Sequence, residues 1–278
     1  MALPVTVDFE TESIGPRPDH YPPQPVGVAI WVPGKKPVYL AWGHPDGNNT
    51  TKEQARRILH DLWGRELLFH NAKFDLEVAE KWFGLELPPW DRVHDTLYQV
   101  FLKDPHARSL SLKPSAERYL GMPPEERDEV EAWVRANVAD TKEWGAHISK
   151  APVALVGPYA IGDVVRTRKL HEALWPSFDA GERAAYDRER RLMPILLRNE
   201  QEGMRLDLPA LERDIEVYQK AMTDAERWLR KRLKSPDLDL DKKEDVARVL
   251  DREGIITDWT LTPKSGKKST SKKYMTVD

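Results

Sequence analysis

The run Val5-Thr6-Val7-Asp8-Phe9-Glu10-Thr11 most limits what this chain can fold into. It is β-branched and alternating, so it reads as a strand that carries acids at its far end. Two further strand-like runs, Val26 to Val32 and Val38 to Trp42, flank the turn segment Pro33-Gly34-Lys35-Lys36, which predicts an antiparallel meander. Helical spacing follows from Thr51 to Trp63, with Ile58, Leu59 and Leu62 on one side and Lys52, Arg56 and Arg57 on the other. A short strand, Glu66 to His70, then runs into a helix from Ala72 to Phe83. Strands first, then strand and helix in alternation, predict an α/β layered domain with a mixed sheet flanked by helices.

From Asp95 to Tyr119 the pattern is again helical, broken near Asp104-Pro105. Pro123 to Lys142 is polar and acid-rich, with one exposed helix expected in it, and Leu155 to Trp175 has a helical face that Pro176 closes. Beyond it two long helical stretches, Glu182 to Glu202 and Pro209 to Leu233, are joined by Gly203-Met204-Arg205-Leu206-Asp207. Gly203 suits the position after a helix end, Asp207 an N-cap and Pro209 the first turn. We place a domain boundary near residue 180, giving domains 1–178 and 179–278.

The absence of cysteine excludes disulfides, cysteine-ligated zinc, iron–sulfur clusters and a thiol nucleophile. No apolar run approaches the ~18 residues that cross a bilayer, and Met1-Ala2-Leu3-Pro4 lacks a signal-peptide pattern, so a cytoplasmic protein without membrane partners is expected. With 43 basic against 46 acidic side chains the net charge is −3, so totals do not indicate a globally basic nucleic-acid binder.

Asp8 and Glu10 are two apart on a strand and project from the same face. Carboxylates that close repel unless a cation sits between them. Asn71 and Asp75 are four apart at a helix start, and Tyr159 and Asp163 are four apart on another helix, so each pair shares a face. Alone, each piece has a bland explanation: a solvated turn, a surface helix residue, a core aromatic with a wet hydroxyl. Together Asp8, Glu10, Asp75 and Asp163 form a set of hard oxygen donors, which suits Mg²⁺ or Mn²⁺ and not zinc. The histidines show no metal-ligand spacing, and His70 reads as a packed strand end.

Asp8-Phe9-Glu10-Thr11, Asn71-Ala72-Lys73-Phe74-Asp75 and Tyr159-Ala160-Ile161-Gly162-Asp163 resemble, in order, the three exonuclease motifs of the DEDD superfamily in its tyrosine subtype. The histidine subtype would need His five residues before Asp163, where Pro158 stands. The resemblance covers roughly residues 4 to 175 and implies an RNase H-like fold with 3′→5′ exonuclease activity. Glu189 to Asp207 is similar to the segment of family A DNA polymerases that leaves the exonuclease domain, and Thr262 to Ser271 resembles the basic loop at the start of the thumb. Gly162-Asp163-Val164-Val165, together with a start directly at the first strand, resembles bacteriophage polymerases. The chain stops at Asp278 before any aspartate-bearing polymerase motif, so polymerase activity is not expected of it alone.

The resemblance implies proofreading: hydrolysis of the 3′-terminal phosphodiester of DNA, single-stranded or frayed at a primer end, with two divalent ions. Asp8 would bridge the ions, Glu10 and Asp163 would hold the one that generates the nucleophile, and Asp75 the second. Tyr159 would orient the attacking water, because an ordinary phenol with a pKa near ~10 is a poor base at neutral pH. Thr11 would lie near the terminal nucleotide and Ile14 would wedge against its base, against the alternative of a core or loop contact. Asn71 either contacts substrate or caps the helix that follows, the capping role being favoured. Lys264, Lys267 and Lys268, in a tail with five lysines between Lys264 and Lys273, either contact duplex phosphates or form a solvated end. The polymerase domain is the expected partner, in the same or a separate chain. An RNase D-like 3′ exoribonuclease and a catalytically vestigial nucleic-acid-binding or polymerase-assembly module are the alternatives.

Overall fold

A computed structural model describes residues 3–123, 125–138, 143–262 and 265–271 and divides the chain into two compact units, Met1–Gly203 and Met204–Asp278. In the first, β1 (Val5–Thr11), β2 (Pro25–Trp31) and β3 (Val38–Ala41) form the expected antiparallel meander. On the other side of β1, β4 (Leu67–Phe69) pairs parallel to it and β5 (Val93–Asp95) parallel to β4. The order β3-β2-β1-β4-β5 puts β1 in the middle of the sheet, with a neighbour on each side.

That central position gives the alternation of β1 its meaning. Val5, Val7 and Phe9 face a core shared with α1 (Lys52–Trp63) and α2 (Ala72–Phe83), through Leu59, Trp63, Leu76 and Phe83. Thr51 starts α1 with a capping box to Gln54. The chain then runs through α3 (Thr96–Lys103) and α4 (Leu112–Leu120), separated as the Asp104-Pro105 break predicts. On the opposite face of the sheet, α5 (Glu125–Asn137) and α6 (Val153–Leu174) pack Val130, Val134, Val156, Ala160 and Val164 against Ala29, Tyr39 and Ala41. Helix α5 is therefore not the exposed element expected: Val130 and Val134 are fully buried. Val130 and Val134, one turn apart, seat the helix, and Trp133 packs beside them.

Helix α7 (Ala180–Glu202) begins at a capping box of Asp179 with Glu182 and ends at Gly203, whose φ of 73° suits a residue without Cβ. Its Met193 and Leu197 enter the same core as β1, and its Tyr186 packs with Val100, Leu170 and Leu174. The first unit thus extends to Gly203, and the residues from 179 onward that the sequence assigned to a second domain include a helix packed on the first. The second unit holds α8 (Leu208–Arg232), N-capped by Asp207 as expected, and α9 (Lys243–Arg252). Leu233, Leu238, Val249 and Leu250 make its small core. Among the described residues, no helix is long and apolar enough to cross a membrane.

Candidate active site

Because Val5, Val7 and Phe9 face α1 and α2, Asp8 and Glu10 face α6. Helix α6 carries Tyr159 and Asp163 one turn apart and is tied to the entry of β1 by Arg168, whose Nη1 donates to the Pro4 carbonyl at 2.6 Å. Carboxylate oxygens of Asp8, Glu10 and Asp163 all lie within 4.8 Å of one another. Two elements far apart in sequence thus close one acidic cluster.

Asp75, in the first turn of α2, is not among the three carboxylates that lie within 4.8 Å of one another, but it approaches them. Its Oδ1 accepts the Phe9 backbone N–H at 2.9 Å, between Asp8 and Glu10, and the side chain is buried. What aims α2 there is Asp95, at the end of β5. Its carboxylate accepts N–H groups from Asn71 at 3.0 Å and Ala72 at 2.8 Å, and from Leu97 at 2.8 Å, so one side chain caps the starts of two helices. The capping role favoured for Asn71 is not found. Asn71 stands in the left-handed region at φ 71° and its side chain makes no cap bond; the Asp95 carboxylate takes that place. Asparagine tolerates this backbone conformation better than most residues.

At the end of β1 the register with β2 shifts between Glu10 and Thr11, and this irregularity turns the chain away from the sheet. A cleft of about 300 Å³ opens there, lined by Glu10, Thr11, Ile14, Phe74, Ala146 and Ile148 among others. Ile14 is 64% exposed, which removes core packing as its explanation. Thr11 is partly buried, and its hydroxyl donates to the Glu12 carbonyl at 2.9 Å. His70 is a packed strand end as expected, its Nδ1 2.8 Å from the Thr96 hydroxyl. Lys267 and Lys268 belong to the second unit, where they pair with Glu244 at 2.9 Å and Asp251 at 2.6 Å. Lys264 lies outside the described residues.

Lys113, in the first turn of α4, is, like Asp95, a side chain that sequence reasoning missed. Its Nζ is 2.6 Å from Asp163 Oδ2 and 4.0 Å from the centre of the Tyr159 ring. No local pattern marks it, because its partner is 50 positions away in the chain. On the other side of Asp163, Arg166 Nη1 lies 3.6 Å from Oδ1.

Burial raises the Asp8 carboxyl from its ordinary 3.8 to about 7, with the Asp163 charge adding to the rise and Lys113 opposing it. Glu10 is pushed well above its usual range by burial, then by Asp8 and Asp163. Burial and the Asp8 charge likewise push Asp75 up, against the pull of the Phe9 N–H. Behind them the Tyr39 phenol, hydrogen-bonded to His44 Nε2 at 2.7 Å, is pushed up by burial and then by Glu10 and Asp8. A largely buried group of acids that resist ionisation together suits a multivalent cation. The donors are all carboxylate oxygens, which fits a hard divalent ion such as Mg²⁺ or Mn²⁺.

This predicts an inverse pH response of the metal-free protein. Between pH ~4 and ~7 the folded chain keeps a proton on Asp8 that the unfolded chain has released, so stability falls as pH rises through that window. In chelator, Asp8→Asn should remove part of this fall. Its melting temperature should exceed wild type by about 4–8 °C at pH 7.5 and match it near pH 4. Parallel melting curves that do not converge at low pH would contradict the assignment.

A model of the 3′–5′ exonuclease family, of the DNA polymerase A type, matches residues 3–179. No curated protein matches the sequence. Among solved structures, the POL domain of Pol1 from M. smegmatis, in complex with DNA primer-template and dNTP, is similar at 20% identity and a TM-score of 0.58. The similarity covers 98% of this chain and 40% of that one. Brucella melitensis NrnC is similar at 18% identity and a TM-score of 0.49, over 73% of this chain and 86% of that one.

Proposed function

The chain belongs to the 3′–5′ exonuclease family of the DNA polymerase A type, and we propose that it removes nucleotides from the 3′ end of DNA as the proofreading part of a family A polymerase. The observation that carries the nuclease chemistry is the convergence of Asp8, Glu10 and Asp163 within 4.8 Å, beside Tyr159 and Asp75. The reading of DNA as substrate draws support from the second unit. The fold likeness to the Pol1 structure, whose own description includes a DNA primer-template, runs through 98% of this chain and so includes residues beyond the exonuclease domain. The remaining polymerase domain, in the same or a separate chain, is the partner this reading implies.

Divalent metal, when bound, supplies a nucleophilic water at neutral pH and charge to stabilise the phosphoryl transition state. Asp8, Glu10 and Asp163 would hold it, and in a two-ion arrangement Asp8 and Asp75 would serve the second ion. Tyr159 holds the attacking water through its hydroxyl and is not asked to take the proton. The water oxygen bonds to phosphorus and gives up a proton to solvent as the bond to the 3′ oxygen breaks and that oxygen takes a proton from solvent, leaving a 3′-hydroxyl on the shortened strand and a 5′-mononucleotide. Ile14 and Thr11, on the rim and wall of the cleft, position the terminal nucleotide, and Asn71 lies at the same end of the sheet. Lys267 and Lys268, with Lys264, are assigned to phosphate contacts, which would draw them from Glu244 and Asp251.

The test is release of mononucleotides from 3′-labelled DNA and RNA in Mg²⁺ or Mn²⁺. Faster release from DNA, especially from a mismatched primer end, is expected. Faster release from RNA would replace the proofreading reading with an RNase D-like one, and release from neither would leave a binding module.

A further inference from the structure

One cation in contact with the acidic cluster comes from outside the elements that build it. Lys113 lies on α4, whereas the acids lie on β1, α2 and α6. Its Nζ meets Asp163 Oδ2 at 2.6 Å and the Tyr159 ring at 4.0 Å from the centroid, and its side chain is only 14% exposed. Arg166 is a second cation at Asp163, and it is fixed: it stands one turn along the same helix, is 3% exposed and donates through Nη2 to the Pro123 carbonyl at 2.8 Å. Lys113 has a flexible stem and a compact charge that can turn among neighbours.

We propose that Lys113 is a positioning residue of the exonuclease: it holds the place of a divalent cation at Asp163 and orients Tyr159 through its ring face. This rests on the nuclease reading above. The two contacts act in opposite directions on two observables. As a counter-ion on Asp163, the ammonium competes with metal for a carboxylate, and its charge repels a dication across that carboxylate. As a cation over the Tyr159 ring, it fixes the plane from which the phenol hydroxyl addresses the water, and a displacement of about 1 Å in such a group costs on the order of 10²-fold in rate. A lysine serving only to stabilise the fold would loosen metal binding and slow turnover together.

The experiment compares wild type with Lys113→Met and Lys113→Arg. Mn²⁺ affinity is measured from the electron paramagnetic resonance signal of free Mn²⁺, without substrate. Nucleotide release is measured at saturating Mn²⁺, with kcat and KM separated and melting temperatures compared. Lys113→Met should bind Mn²⁺ about tenfold more tightly, the size of a largely screened repulsion between one charge and two. It should also show kcat lower by about 10²-fold at unchanged KM. Lys113→Arg, which keeps the charge and the ring contact, should return Mn²⁺ affinity to wild type and restore most of kcat. Unchanged or weaker Mn²⁺ binding by Lys113→Met overturns the proposal, as does tighter binding with unchanged kcat. If wild type releases no nucleotide, the nuclease reading fails by itself, and the Mn²⁺ titration still decides whether Lys113 is the counter-ion.

Discussion

Asp8→Ala is expected to slow metal-dependent release of 3′-terminal nucleotides by about 10³-fold or more. The same substitution should raise the metal-free melting temperature at neutral pH. The combination is unusual, because truncating a residue packed in a central strand generally destabilises. It follows here from the position of Asp8 in the middle strand, within 4.8 Å of Glu10 and Asp163 and near enough to Asp75 for the two charges to interact. Burial and the Asp163 charge already hold its carboxyl up near 7, so the stability lost as pH rises from about 4 to about 7 stays lost above it until a cation is bound. Alanine removes the repulsion together with the proposed metal ligand. Asp163→Asn is the matched control: it should lose comparable activity, while its amide oxygen still accepts from Lys113 and spares that ammonium an unpaired, partly buried state. Activity assays and melting curves in chelator, run on the same preparations, check both halves. Retention of more than about a tenth of wild-type activity by Asp8→Ala is incompatible with a metal-bridging role.

The part of the site legible in the sequence is the part set by local periodicity. Asp8 and Glu10 share a face because strands repeat every two residues, and Tyr159 and Asp163 share one because helices repeat nearly every four. Their order along the chain then made the likeness to known exonuclease motifs specific. Lys113 and Asp95 were invisible for the opposite reason. Each does its work through contacts between elements: Lys113 across to α6, and Asp95 from β5 back to the start of α2. The sequence around Asp95 reads as a helix start, which it is for α3. Nothing in it announces that the same carboxylate also caps α2. Strand β5 itself has only three residues, too few to show a period. Ten-residue α9 went unread because the polar stretch around it hides its few buried positions, Ala247, Val249 and Leu250. The division at Gly203 depends on Met193 and Leu197 entering the core beside β1, and a helical pattern alone does not say which core an apolar face will join.

Asp95→Ala should be the most damaging single change to the fold around the site without touching a proposed metal ligand. The side chain is 3% exposed, and its two oxygens serve three backbone N–H groups, at Asn71, Ala72 and Leu97. Burial raises its carboxyl above the ordinary range, and those N–H groups and Lys73 pull the other way, so the bonds offset part of the cost of a buried charge. Alanine leaves the donors at the starts of two helices without their acceptor, the Ala72 N–H deep in the core. At about 1–3 kcal/mol for a donor that water cannot reach and less for those it can, the loss should be about 3–5 kcal/mol. For a chain of this size that lowers the melting temperature by roughly 6–15 °C. Asp95→Asn should fall between, since its one carbonyl oxygen can keep the Asn71 and Leu97 bonds while its amide nitrogen faces the Ala72 N–H as a second donor. The effect should reach the chemistry through Asp75, whose place against the Phe9 N–H depends on where α2 begins. Mn²⁺ binding by Asp95→Ala, measured well below its melting temperature, should be weakened even though all four acids remain. A melting temperature within 2 °C of wild type, or full Mn²⁺ affinity in a protein so destabilised, would show that α2 holds its start, and Asp75 its position, by packing of Leu76 and Phe83 alone.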